Sequence, residues 1–115
     1  MRVYVAVTAK QLQELLNGAI KVDDYLTPGQ FEFPAQVDEE EQEHLISLLA
    51  AEDALELNGG RFGLVLAVDL DDQQLDSDSL ELKFEQLAAV LYTDDGEGLS
   101  WFAPEEIRYQ IDSWL

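Results

Sequence analysis

Cysteine is absent from this sequence, which removes thiol catalysis, disulfides and thiolate metal sites together. Histidine occurs once, at His44, so zinc centres built on several imidazoles are excluded as well. Basic residues are scarce: six Lys and Arg stand against 25 Asp and Glu, a formal charge of −19 at pH 7. A field of that sign repels nucleic-acid phosphates and anionic lipid headgroups, so direct binding to either is not expected. No apolar run reaches the roughly eighteen residues of a membrane-spanning helix. The N-terminus lacks the basic region, apolar core and small-residue cleavage site of a secretion signal, and the cytoplasm is the expected compartment. A glycine-rich phosphate loop is missing too, because Asn58-Gly59-Gly60 leads into an apolar run and not into a helix N-terminus.

What remains is enough for one folded domain spanning residues 1–115. A chain of 115 residues with 47% hydrophobic content buries roughly two thirds of its unfolded surface without a disulfide or metal. The organising stretch is Phe62 to Leu70. Leu64 to Val68 runs without polar alternation, which predicts a strand covered on both faces. Arg2 to Val7 alternates Val3, Val5 and Val7 with other residues, a strand with one firmly apolar face. Thr8-x-x-Gln11 has the capping-box pattern, so a helix carrying Leu12, Leu15 and Leu16 is expected to follow and to end at Asn17-Gly18. Ile20 to Gln36, with Pro28-Gly29 inside it, reads as a β-arm or an ordered loop.

Asp38 opens a second predicted helix, with Glu39, Glu40 and Glu41 at its positive end. Leu45, Leu48, Leu49 and Leu55 form its expected core-facing stripe. Ile46, Ala50, Ala51 and Ala54 widen that stripe, so the helix is expected to be mostly buried past its first turn. Leu80 to Phe84 reads as a half-exposed strand and Ala89 to Thr93 as an inner one. Asp94 to Gly98 reads as a turn with its tip at Asp95-Gly96, and Leu99 to Phe102 as the returning strand. Pro104, Glu105 and Glu106 start a last helix whose Ile107, Ile111, Trp114 and Leu115 share one face. The expected architecture is α+β: a mixed sheet of four to five strands with three helices largely on one face.

Five short stretches, taken in order, resemble a small family of uncharacterised actinobacterial proteins. They are Met1-Arg-Val-Tyr-Val5, Leu26-Thr-Pro28, Asp38-Glu-Glu-Glu41, the Val65 to Asp69 strand and Trp101-Phe-Ala-Pro-Glu105. The resemblance covers most of the chain and is strongest at the last motif. Many members carry a longer acidic insertion before that motif, where this chain has only Asp94 to Gly98. The resemblance implies no activity, cofactor or catalytic residue.

The most chemical-looking stretch is Asp69, Asp71, Asp72, Asp76 and Asp78, just past the inner strand. Carboxylates there could collect Mg²⁺ or Ca²⁺, which want oxygen ligands, with Asp69, Asp71 and Asp72 as the core of the set. The EF-hand glycine and terminal glutamate are missing, and a solvated acidic loop explains the same residues. Glu41-x-x-His44 is half of a di-iron motif whose other half would need a second histidine; a surface histidine is the plainer account. No Gly-x-Ser-x-Gly nucleophile context is present. Trp101 and Tyr109 are candidate partner-binding aromatics, whereas Phe102 and Trp114 are expected in the core.

The charge is open to two accounts, a solubilising coat or a basic protein partner. The leading expectation is a non-enzymatic protein-interaction or regulatory module that needs no cofactor. The first alternative is a metal-assisted enzyme using Asp69, Asp71 and Asp72. The second is a nucleic-acid mimic that occupies a basic DNA-binding protein.

Overall fold

A computed structural model of the chain describes residues 2–71, 80–95 and 98–115. The strands are β1 (Arg2–Val7), β2 (Ala19–Val22), β3 (Gly63–Asp69), β4 (Leu80–Lys83), β5 (Leu87–Thr93) and β6 (Ser100–Phe102). The helices are α1 (Ala9–Leu16), α2 (Glu39–Leu57) and α3 (Ile107–Trp114). The α+β class, the four-stranded central sheet and the three helices are those expected from the sequence. Strand order in that sheet is β1-β3-β5-β6, which puts the apolar run at its centre. Residues Gly63 to Val68 of β3 are all buried.

Three details of the architecture differ from expectation. The ladders are antiparallel throughout rather than mixed, β1 with β3, β3 with β5 and β5 with β6. The helices are divided between the two faces. α1 and α3 share one face with the β2–β4 pair, around Val3, Val5, Leu64, Leu66 and Val90. α2 alone covers the other, around Tyr4, Val65, Ala67, Ala89 and Leu91. A single apolar run can serve both because successive side chains of a strand point to opposite faces. Finally, Leu80 to Lys83 does not join the central sheet; it pairs with Ala19 to Val22 in a sheet of its own. Ile20, Val22, Leu80 and Leu82 turn inward there and close the face under α1.

Local chemistry accounts for the element ends. The Thr8 hydroxyl accepts from the Gln11 amide at 3.1 Å, and the Gln11 side chain accepts from the Thr8 amide at 2.9 Å. Asp38 caps α2 by accepting from the Glu41 amide at 2.8 Å. At the other end of α2, Asn58 Nδ2 donates to Ala54 and to Val7 carbonyls, at 2.9 and 3.1 Å, tying the helix end to β1. Gly59 and Gly60 then turn the chain with φ of 73° and 80°, which favours residues without a Cβ. In β5 the register slips by one residue at Ala88. The extra residue re-phases the alternation, so Leu87 joins the core on the same face as Val90.

Ile20 to Gln36 combines both forms expected of it. It begins as β2, touches β1 again at Leu26, and makes a single 3-10 turn at Pro28–Gln30. The Tyr4 and Leu26 backbones exchange two hydrogen bonds of 2.9 Å each, so this arm covers part of the outer edge of β1. Among the described residues no helix is long and apolar enough to cross a membrane.

Candidate functional site

The long helix α2 carries the largest departure from the sequence reading. Its inward face is made of small residues, with Ser47, Ala50, Ala51 and Ala54 buried beside Ile46. They meet Ala67 and Ala89 on the sheet and Gly63 at the start of β3, beside the larger Tyr4, Val65 and Leu91. A Cβ placed on Gly63 would lie 3.1 Å from the Ala51 carbonyl oxygen, the Ala54 Cβ and the Leu55 nitrogen. The helix therefore sits close on the sheet, and close approach selects small side chains. The leucines are displaced outward as a result. Leu45 and Leu49 are 44% and 40% exposed, and Leu48 and Leu55 are half-buried on the helix flank.

Those leucines are surrounded by acid. Glu41, Glu52 and Asp53 are exposed at helical spacings of three or four from Leu45, Leu48 or Leu49, and exposed Glu56 follows Glu52 and Asp53 at the same spacings. The buried Ser47 hydroxyl is satisfied within the helix, donating to the His44 carbonyl at 2.6 Å. His44 itself is exposed and lines a shallow hollow with Asp38, Glu40, Glu41 and Leu45.

The two aromatics singled out from the sequence are both on the surface, but on opposite sides of the sheet. Trp101 is 58% exposed and pairs across the ladder with Leu91, which faces α2. Directly paired residues share a face, so Trp101 lies on the α2 side. Tyr109 is 87% exposed on α3, which packs on the other face. Phe102 and Trp114 join the core side as expected. Trp114 stacks on Tyr92 at 5.6 Å and meets Phe102 edge-on at 5.3 Å, with Phe62 continuing the stack beyond Tyr92. Leu115, placed on the same helical face, is exposed instead.

In the acidic stretch, Asp69 is engaged by Arg2. The Arg2 Nε donates to Asp69 Oδ1 at 3.1 Å and Nη2 to Oδ2 at 3.4 Å, across directly paired strand residues. This hydrogen bond to Asp69 holds the guanidinium more firmly protonated than usual. Asp71 follows the strand, while Asp72, Asp76 and Asp78 lie outside the described residues. Among the described residues no three or more His, Cys, Asp or Glu side chains are grouped to hold a metal ion.

A groove opens alongside α2, between that helix, β1 and the Asp24 to Leu26 arm. Tyr4 forms part of its wall and is nearly fully buried. Burial pushes the Tyr4 phenol above its ordinary value, and the nearby Glu43 charge adds to the effect. The leucine face was hard to find from sequence, because leucines and alanines on one helix read as a single broad stripe. The signal that separates them is side-chain size. No protein-family model matches the chain, and neither a curated protein nor a solved structure does.

Proposed function

We propose that this protein is a non-enzymatic interaction module of the cytoplasm that docks a basic, amphipathic segment of another protein on the outward face of α2. The observation that carries the reading is the exposure of Leu45 and Leu49 on the long helix, ringed by carboxylates. Apolar side chains that leave water on binding supply affinity, here about 0.6–1.3 kcal/mol for the exposed part of each leucine. Acids around them select a partner of positive charge and speed its arrival. Trp101, on the same side of the sheet at its β6 edge, is a second exposed apolar group of a type enriched at binding hot spots. A nucleic-acid mimic fits less well, because Leu45 and Leu49 interrupt the row of acids that would have to stand for phosphates.

The test is retention of partners from lysate on the immobilised protein at low and moderate salt, beside the Leu45→Ser/Leu49→Ser variant. A retained protein is identified, remade and measured by calorimetry. The reading predicts an affinity that falls as the screening length shrinks to ~8 Å near physiological salt. It also predicts a Kd at least about tenfold higher for the double variant, a tenfold change being about 1.4 kcal/mol. Equal binding by the double variant, or no salt-sensitive partner, overturns it.

A further inference from the structure

We infer that the groove between β1 and α2 takes a single arginine side chain of the partner, an inference that rests on the docking reading above. The groove forms where the arm peels away from β1. Tyr4 and Leu26 are hydrogen-bonded to each other, and continuing that antiparallel register sets Asp24 opposite Ala6. Asp24 instead turns aside, its Oδ1 accepting from the Tyr25 amide at 2.9 Å. Backbone groups alternate in direction along a strand, so the Ala6 N–H and C=O point the same way as those of Tyr4, into the gap. The cavity there measures about 450 Å³, within the range of ligand pockets and room enough for one long side chain.

Its walls are of two kinds. Three carboxylates border it, Asp24 from the arm with Asp53 and Glu56 from α2, and among the described residues no Lys or Arg lines it. Between them lies Leu57, which is exposed, while Tyr4 in the wall is almost wholly buried. An arginine matches both kinds. Its methylene stem covers apolar surface while its charged head stays among the acids. Its five N–H donors reach acceptors on several sides at once, here three carboxylates and the Ala6 carbonyl, where an ammonium offers a compact point charge.

The groove also continues the leucine face. Leu45, Leu49 and Asp53 follow one another at intervals of four along α2, so the groove begins about 12 Å from Leu45 at 1.5 Å per residue. A partner lying along α2 would therefore carry its arginine roughly that distance beyond its first apolar anchor.

The test needs no partner. Agmatine, a guanidinium on a short alkyl chain, is titrated into ¹⁵N-labelled protein at low ionic strength, with cadaverine as the ammonium counterpart. Single-site, saturating shifts at the Ala6, Tyr25, Asp53 and Leu57 amides are expected. The Asp53→Asn/Glu56→Gln variant should raise the apparent Kd at least fivefold to about tenfold, since charge-assisted hydrogen bonds are the strong ones. Leu45→Ser/Leu49→Ser should leave it unchanged, which separates this groove from the leucine face. The spectrum of each variant shows directly that it is folded. Non-saturating shifts spread over the acidic surface, or an unchanged Kd in the Asn/Gln variant, overturn the inference. Equal binding of cadaverine overturns the assignment to arginine.

Discussion

The two faces of the central sheet are closed in different ways. Under α1, α3 and the β2–β4 pair the packing is built from large aliphatic side chains, including Leu12, Leu15, Leu64, Leu66, Leu82 and Ile107, all fully buried. Under α2 it is built largely from alanine, with Ile46, Val65, Leu91 and Tyr4 as the bulky members. The first face uses its leucines to make the core. The second face makes its core from small residues and leaves leucines on the outside of the helix. Large residues stabilise through the area they bury, small ones through close approach, and the second arrangement leaves leucines over on the outside of the helix.

Substitutions sharpen this contrast. Leu66→Ala, on the aliphatic face, should cost about 2–5 kcal/mol in urea unfolding, because it opens a cavity among side chains that cannot collapse fully. A cost well under that range would mean that this face is loosely packed and the contrast is false. Gly63→Ala acts on the other face by overfilling, since the new methyl meets Ala51, Ala54 and Leu55 at 3.1 Å. The expected loss is about 1–3 kcal/mol, and a neutral result would show that α2 can lift from the sheet freely.

Tyr4, the large ring on the α2 side, gives a pH signature. Its phenol is raised above 10.0 by burial, with Glu43 adding to it. The unfolded chain then loses this proton first as pH rises. Stability is fully present below about pH 10 and declines above it, through the folded-state value. Tyr4→Phe should flatten that alkaline decline in melts between about pH 9 and 11. An identical slope in both proteins would place Tyr4 in a wetter setting than the α2 face provides. Smallest is Asp69→Asn, which removes an exposed ion pair with Arg2 and should cost no more than about 1 kcal/mol, less at high salt.

Much of the fold was legible because its signals are local. The apolar run from Leu64 to Val68 could only be a strand buried twice, and it is. The Thr8–Gln11 and Asp38 caps announced their helices, and the closing helix began at Pro104 with a 3-10 turn. What escaped depends on distance in sequence. Pairing of Ala19–Val22 with Leu80–Lys83 is a contact between far segments that alternation alone cannot assign. The outward leucines escaped because α2 is apolar on more than one side, and hydrophobicity does not say which side meets the sheet. Gly63 marks the side that does, since its missing Cβ makes room for Ala51 and Ala54. The candidate site was legible only in part. The acids and Trp101 were visible at once, but Trp101 and Tyr109 lie on opposite sides, and the Arg2 contact to Asp69 depends on the β1–β3 register.

The most direct measurement is the unfolding free energy of Leu45→Ser/Leu49→Ser beside that of the parent. Because each side chain is 40–44% exposed, the part still covered should cost about 2–3 kcal/mol for the pair. A loss of about 4–10 kcal/mol, that of two core leucines, would put them in the core and leave no apolar face for a partner.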